Sequence, residues 1–292
     1  MMRLGMLLLF LVSVTLACSN RSFKKQSEEG YIGGTSEEIF ESMWRPKREK
    51  FNIMIRDQRE VFHLTNFQEV GSRAAYDNFE PVINCEDEVR IGSRHFNVGD
   101  GPKFACGLKV LKHEKDCIVY SIGSRYDFAF EEAVVRAAPH CKVHKFDGTL
   151  NLLHRPLPEI SRGITFHNFN VVSDCEKEHE PKYPSRCIDS ILEELGHKNG
   201  KITWFKIDCQ GCEYSVIPKV LSATTVEQVM VEIHGVNATQ IFTLFKHFSD
   251  AGLYVFHKER NQWGCDGYRC VEYSLISLEY SRSVLKSLVV SN

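Results

Sequence analysis

Residues 117–149 combine a glycine turn with a later aspartate, at the spacing that nucleoside-binding folds use. An apolar run typical of a buried strand ends at Gly123, where the backbone must turn sharply or let a ligand approach closely. Asp127 can then cap a helix predicted over Phe128–Ala138. A second apolar run precedes Asp147, which therefore emerges at the carboxyl end of a second strand and can accept hydrogen bonds from ribose hydroxyls. The unit predicts a nucleoside ligand, but it does not specify a reaction.

Asp208 and His234 place a carboxylate and an imidazole at the ends of two further predicted strands. Because neighbouring parallel strands end at the same edge of a sheet, we expect these side chains to lie side by side across a cleft. Either group could accept the proton of a substrate hydroxyl. With Glu213 or Glu232 they could also hold a divalent cation. Their spacing is not a diagnostic metal motif, however, and we assign no residue to a metal.

Each of these residues also has a purely structural interpretation. Gly123 and Asp147 are residue types that turns favour, and Asp208 could simply cap the helix that follows it. His234 could be a hydrogen-bonded histidine of the core or its rim. The Cys209–Cys212 motif has redox spacing, but we favour structural thiols or disulfide partners because the motif begins at the end of a predicted strand.

The elements that must position these residues alternate between strands and helices, which predicts an α/β fold with a mostly parallel sheet covered on both faces. After the first unit we predict strands at Ile164–Val172, Ile202–Ile207 and Val226–Ile233, and helices at Arg186–Leu195, Cys212–Leu221 and Ala238–Ala251. Two strands, Leu253–His257 and Val271–Leu278, then follow with only a glycine-containing loop between them. A dehydrogenase would continue with crossover helices, whereas an antiparallel hairpin at this point is characteristic of class I methyltransferases.

Taken together, the motifs resemble S-adenosylmethionine-dependent methyltransferases of the FkbM type, and within them the secretory methyltransferase-like proteins of animals. The resemblance covers Phe79–Leu278. Its matching motifs are Arg90-Ile91-Gly92, Asp100-Gly101, Val119–Gly123, Asp127-Phe128, Phe130-Glu131, Phe146-Asp147, Lys206-Ile207-Asp208 through Gly211 and Glu213, and Glu232 with His234. The resemblance implies a class I, Rossmann-like methyltransferase fold, S-adenosylmethionine as cofactor, and O-methylation of a small molecule or glycan.

On this interpretation Asp147 binds the cofactor ribose, and amides of the Gly123–Tyr126 loop bind its methionine carboxylate. The full assignment is Ser121, Gly123, Ser124, Asp127 and Asp147 to the cofactor, and Asp208 and His234 to catalysis. Two departures from the family pattern stand out: Gln210 replaces a usual glutamate, and the first loop has one glycine where many relatives have two or three. These departures leave open the alternative that the protein is catalytically inactive and serves as a binding or interaction module. A nicotinamide enzyme would need a richer glycine loop.

The 292 residues are 43% apolar and 25% charged, which is ordinary for a globular protein. A formal charge of −2 without a basic block gives no reason to expect a nucleic-acid partner. Thr35-Ser36-Glu37-Glu38 resembles a capping box that opens a helix through about Glu49, and a second helix is predicted over Ile53–Thr65. The predicted organisation is a signal peptide at 1–18, a flexible stem at 19–34, a helical segment at 35–78 and a methyltransferase domain at 79–292.

The N-terminal run and the cysteines predict a secreted or lumenal protein. Arg3 followed by the apolar residues 4–16 is typical of a cleaved signal, with an uncleaved membrane anchor as the alternative; after cleavage we expect no stable membrane span. Removal of Cys18 leaves ten of the eleven cysteines, an even set suited to an oxidising lumen. We predict local disulfides Cys85–Cys106 and Cys265–Cys270, and glycosylation sequons at Asn20 and Asn237.

Overall fold

A seven-stranded sheet forms the centre of the computed structural model, which describes residues 35–57, 76–92, 99–149, 159–177, 184–267 and 269–290. The strands are β1 (Glu88–Ile91), β2 (Lys103–Cys106), β3 (Ile118–Gly123), β4 (Lys142–Phe146), β5 (Ile164–His167), β6 (Asn170–Val172), β7 (Ser185–Cys187), β8 (Lys201–Asp208), β9 (Thr225–His234), β10 (Leu253–Arg260) and β11 (Cys270–Ser277). The helices are α1 (Ser36–Arg56), α2 (Leu108–Leu111), α3 (Ala129–Ala137), α4 (Ile188–Glu194), α5 (Glu213–Ala223), α6 (Ala238–Asp250) and α7 (Leu278–Val290).

The sheet order is β10-β11-β9-β8-β3-β4-β5. Neighbours from β9 to β5 pair in parallel, while β11 runs antiparallel to both β9 and β10. The predicted fold class is therefore confirmed, including the terminal antiparallel hairpin. The carboxyl ends of β3, β4, β8 and β9 lie at one edge, where the candidate site residues follow them.

Apolar side chains cover both faces of the sheet because adjacent residues of each buried strand point in opposite directions. Trp204 on β8 packs with Val119 and α3 on one face. The next residue, Phe205, packs on the other face with the cluster that includes α5 and α6. This two-sided burial holds the strand ends in fixed positions.

Helix α1 begins as predicted and ends later than predicted. Its capping box is present, since the Glu38 amide donates to the Thr35 hydroxyl at 3.3 Å and the Thr35 amide donates to the Glu38 carboxylate at 2.7 Å. The predicted end near Glu49 is wrong, because buried Phe51 and Ile55 continue the apolar face to Arg56. The rest of the second predicted helix, together with the predicted signal peptide, the stem and Asn20, lies outside the described residues.

Three further differences from prediction concern the third predicted strand, the start of α4 and helix α7. The third predicted strand is two strands, β5 and β6, and β6 leaves the main sheet to pair with β7. Arg186 and Cys187 belong to β7, so α4 starts later than expected. Helix α7 was not predicted; buried Tyr280 and Val284 attach it to the core. Within the ranges that the structure describes, no helix is long and apolar enough to cross a membrane.

Five disulfides join all ten described cysteines, and both predicted pairs, Cys85–Cys106 and Cys265–Cys270, are confirmed. The Cys209–Cys212 pair closes the loop after β8. The remaining disulfides join Cys117 with Cys141 and Cys175 with Cys187.

Candidate active site

Gly123 ends β3 in a turn that other residues would not fit. Its φ is +87°, and a Cβ added there would lie 1.8 Å from the carbonyl oxygen of Asp208 on the adjacent strand. Ser124 and Arg125 continue the turn with φ values of 75° and 50°. The chain therefore bends sharply over the end of the sheet, as predicted, and the bend brings this loop against Asp208.

Asp147 follows β4 and is 3% exposed. Its Oδ2 accepts a hydrogen bond from the Arg125 amide at 2.6 Å, and its Oδ1 accepts from the amide and hydroxyl of Thr149 at 2.9 and 2.5 Å. Each carboxylate oxygen can accept about two hydrogen bonds, so Oδ2 keeps capacity for one further donor. The structure thus brings Asp147 to the Gly123 loop with a lone pair still available for a ribose hydroxyl.

Asp127 lies at the start of α3, where its Oδ1 accepts from the Ala129 amide at 2.9 Å. The carboxylate therefore caps the helix start as expected, although the residue immediately before the helix is Phe128. Ser121 is fully buried beneath the loop and donates to Glu131 Oε1 at 2.5 Å. The Ser121 hydroxyl is therefore directed at α3, unlike the other predicted cofactor residues, which lie in or beside the loop.

Two fully buried lysines flank Ser121 in register, Lys145 on β4 and Lys206 on β8. The Lys145 ammonium donates to the carbonyls of Gly123 and Asp127 at 3.0 and 2.9 Å. The Lys206 ammonium bonds the Ser124 hydroxyl. Sequence reasoning missed both lysines as site residues; the signal was a charged residue inside each apolar strand.

On the other side of the loop, Asp208 and His234 lie together as the strand order requires. The His234 Nε2 is 3.8 Å from Asp208 Oδ1 and 3.9 Å from Glu232 Oε1. Glu213, fully buried at the start of α5, accepts from the His234 amide at 2.8 Å and contacts its Nδ1 at 3.2 Å. Glu213 therefore orients the imidazole towards Asp208, whereas Gln210, the departure from the family pattern, is exposed.

Lys103 and Glu272 complete this cluster and were also missed. Lys103 is buried, pairs with Glu272, and lies 3.7 Å from Asp208 Oδ2. Burial would lower the pKa of Lys103, but the charges of Glu272, Asp208 and Glu232 outweigh burial and raise it. The cluster therefore holds a permanent ammonium among its carboxylates.

The carboxylates differ in proton affinity. Burial would raise the pKa of Asp208, but Lys103, Lys206 and His234 lower it below its ordinary value. Burial and the charge of Asp208 raise the pKa of Glu232, and burial raises the pKa of Glu272 to about 8. Asp208 is therefore the carboxylate that stays ionised, while its neighbours hold protons more readily.

Burial and the neighbouring acids have opposite effects on the pKa of His234. Burial would lower its pKa, but the hydrogen bond and charge of Glu213, with the charges of Glu232 and Asp208, raise the pKa above the usual histidine value. The imidazole is consequently more basic than a solvent-exposed histidine.

A cavity of about 680 Å³ opens beside the cluster, between the Gly99–Pro102 turn and the loop after β10. The Asn261 amide nitrogen donates to Asp100 Oδ1 at 3.0 Å and to Glu232 Oε1 at 2.8 Å, so the cavity wall is tied to the cluster. Trp263, 67% exposed, stands on the rim. The Gly99–Pro102 turn also approaches the first loop, since a Cβ on Gly101 would lie 3.5 Å from Asp127 Oδ2.

Acidic groups near the cavity have partners other than a metal. Asp100, Glu232 and Glu272 could bring three oxygens within 4.8 Å of one another. The Lys103 ammonium already contacts Glu272, however, and the Asn261 amide bridges the other two carboxylates. A second group contains Glu232, His234 and two cysteines that are joined in a disulfide, which removes their thiolates. The donor chemistry favours the resident ammonium over a divalent ion.

A family model described as "Methyltransferase domain" matches residues 26–277. The chain belongs to this family. S-adenosylmethionine-dependent methyl transfer is therefore its reaction class, and this chain is a methyltransferase enzyme. A comparison with curated proteins finds no match.

Among solved structures, this methyltransferase is similar to a precorrin-6y C5,15-methyltransferase from Geobacter metallireducens, with 12% identity, 58% of this chain and 85% of that chain covered, and a TM-score of 0.34. It is also similar to the N-methyltransferase NodS from Bradyrhizobium japonicum, with 11% identity, coverages of 58% and 92%, and a TM-score of 0.33. A Methanococcus jannaschii fibrillarin pre-rRNA processing protein shows 10% identity, coverages of 65% and 88%, and a TM-score of 0.34.

Proposed function

We propose that this methyltransferase is an FkbM-related secretory enzyme that methylates an oxygen atom of a small molecule or glycan. The observation that carries the proposal is the position of Asp208. It lies against the Gly123 loop on one side and 3.8 Å from His234 on the other, and Lys103 connects it to Glu272, which lines the 680 Å³ cavity. A cofactor at the ends of β3 and β4 and an acceptor in the cavity would therefore meet at Asp208.

The residues around the first loop fit S-adenosylmethionine, which when bound supplies an electrophilic methyl group. Asp147 has acceptor capacity for the ribose, and the left-handed turn at Gly123–Arg125 leaves backbone amides and the Ser124 hydroxyl near the start of α3. Asp127 keeps that helix start in place. No metal is required by this arrangement, because Lys103 supplies the positive charge among the carboxylates.

On the acceptor side, a hydroxyl must lose its proton near the moment of attack. Ionised Asp208 can orient the hydroxyl by accepting its hydrogen bond. The neutral imidazole of His234, held by Glu213, can take the proton. Because an imidazolium cannot act as a base, turnover should increase as pH rises through the raised pKa of His234.

The secretory setting rests on the cysteines and the N-terminal sequence. Five disulfides suit an oxidising compartment, and residues 1–18 have the pattern of a signal peptide. The sequon residue Asn237 is exposed at the start of α6, which suits glycosylation. We infer a secreted or lumenal protein that acts on small or glycan acceptors and not on nucleic acid, since the chain carries a net charge of −2.

The test uses protein produced through a secretory pathway, S-adenosylmethionine labelled in its methyl group, and hydroxylated acceptors paired with matching amines. We expect label in ether linkages. Asp208→Asn and His234→Ala should keep their affinity for S-adenosylhomocysteine in calorimetry, while turnover falls by about 10²- to 10⁴-fold. Asp147→Ala should instead weaken that binding by about 1–3 kcal/mol, because ribose hydroxyls lose their acceptor.

Other results would contradict the proposal in distinct ways. Full activity of both Asp208→Asn and His234→Ala would remove the acceptor-side pair. Unchanged affinity in Asp147→Ala would remove Asp147 from the cofactor site. Wild-type protein that binds no cofactor would favour an inactive interaction module.

A further inference from the structure

Lys206 is a buried lysine without a direct ion pair. The described part of the chain has three buried lysines, Lys103, Lys145 and Lys206. The first pairs with Glu272 and the second with Glu131. Lys206 is 0% exposed, yet no described carboxylate oxygen lies within ion-pair distance of it, and Asp208 acts on it only from further away. A charge withdrawn from water and left unpaired is strongly unfavourable unless an anion neutralises it.

The single polar contact of Lys206 points to where such an anion would bind. Its ammonium, which has three donors, bonds the Ser124 hydroxyl in the first loop. When a lysine donates to a hydroxyl oxygen, the hydroxyl proton is left to donate elsewhere. Ser124 is partly exposed, in the left-handed turn that follows Gly123. A hydrogen bond thus connects the ammonium of Lys206, inside the sheet, with the Ser124 hydroxyl at the surface of this loop.

The surrounding charges do not satisfy Lys206. Lys145 lies two strands away in the same register row, and its ammonium is occupied by Glu131 and two carbonyl oxygens. Burial lowers the pKa of Lys206; the charges of Asp208 and Glu131 raise it, but those of Lys103 and Lys145 lower it, and the pKa stays below its ordinary value. An anion bound at the loop would stabilise the protonated form of Lys206.

We propose that Lys206, acting through the Ser124 hydroxyl, binds the carboxylate of the cofactor's amino-acid tail. This inference rests on the proposed function, because it requires the cofactor to lie at this loop. It explains how a loop with a single glycine can hold an anionic group: a buried cation replaces part of the amide cradle that a richer glycine loop would offer. Ser124 is then a binding residue, in addition to the loop amides, and Lys206 is the residue that positions its hydroxyl.

The experiment compares two ligands that differ only in that carboxylate: S-adenosylmethionine and its decarboxylated analogue. Binding of both is measured by calorimetry to wild-type protein, Lys206→Met, Lys206→Gln and Ser124→Ala. We expect each variant to lose about 10- to 100-fold in affinity for S-adenosylmethionine and to bind the decarboxylated analogue as wild type does. Lys206→Gln keeps a donor for Ser124, and it provides the answer if Lys206→Met does not fold.

Lys201→Met is the control, because it removes a partly exposed lysine from the opposite end of the same strand. It should change neither affinity. If the Lys206 variants weaken both ligands equally, or weaken neither, the carboxylate assignment is wrong although the proposed function stands. If wild-type protein binds neither ligand, the proposed function itself fails and this inference fails with it.

Discussion

At Gly123 a single added carbon atom would distort the loop after β3. An added methyl group would overlap the Asp208 carbonyl, and the φ of +87° would be strained as well. Since the obstacle is backbone on the neighbouring strand, a side-chain rotation cannot relieve it. The same contact joins the proposed cofactor loop to the backbone of Asp208, the proposed acceptor-side carboxylate.

We therefore expect Gly123→Ala to lower the free energy of unfolding by about 2–4 kcal/mol and to weaken cofactor binding. Gly252→Ala is the matched control, because Gly252 has a similar φ of +71° but no atom within 4 Å of the added Cβ. That variant should lose about 1–2 kcal/mol through backbone strain alone and keep cofactor affinity. Urea unfolding and calorimetry measure the two effects; equal losses for both variants would contradict the steric argument.

His234 should also make stability depend on pH. Its folded pKa is raised above the unfolded value because Glu213, Glu232 and Asp208 outweigh burial. The stability from this shift is fully present below the unfolded pKa of about 6.5, and it is lost as pH rises through the folded pKa.

The difference in unfolding free energy between wild type and His234→Gln should accordingly be larger at about pH 5.5 than at about pH 8.5. Urea titrations at the two pH values give this difference, with His113→Gln, at an exposed position, as the control. A difference that is independent of pH, or larger at alkaline pH, would show that the acids around His234 do not raise its pKa.

At the scale of elements, the loop between β8 and α5 is shaped by two features of its sequence. The Cys209–Cys212 disulfide closes it, and buried Glu213 binds both the Gly211 amide and His234. The loop therefore positions His234, the proposed base, through the start of a helix. The Cys117–Cys141 disulfide, in contrast, joins the amino ends of β3 and β4, at the edge of the sheet away from the site.

Removing each of these two disulfides should affect a different property, turnover in one case and stability in the other. Replacing Cys209 and Cys212 with serine should reduce turnover while costing little stability, because the closed loop is short. Replacing Cys117 and Cys141 should lower the unfolding midpoint more, since its sequence separation of 24 closes a longer loop, and should spare turnover. Thermal unfolding and the methyl-transfer assay test the contrast; a loss of turnover only in the Cys117 and Cys141 variant would reverse the assignment.

At the scale of the whole molecule, the strand order divides the carboxyl edge of the sheet into two halves. Strands β3 and β4 carry the loop and acid of the proposed cofactor side, and β10 and β11 border the cavity of the proposed acceptor side. Strand β8 lies between them and carries Lys206 towards the first half and Asp208 at the boundary. If the cofactor and the acceptor bind in the two halves as proposed, they meet at this strand.

The sequence by itself determined the fold class, the terminal hairpin, the turn at Gly123, the position of Asp147 after β4 and the adjacency of Asp208 and His234. These follow from local signals: apolar periodicity, glycine, caps, and the rule that parallel strands end at one edge. Local signals also located the start of α1 and two of the disulfides. They failed at its end and at β6 and β7, where burial against distant residues decided the boundary.

Only the tertiary structure decided which buried charges meet. Lys103 and Glu272 are 169 residues apart in the chain, and Lys206 reaches Ser124 across 82 residues. No local pattern reports the distance between such side chains, because that distance is set by strand order and by which face of the sheet each residue occupies. The energies of buried charges depend on their neighbours in space, so their pKa values, the ammonium among the carboxylates and the unpaired Lys206 emerge only once the sheet is assembled.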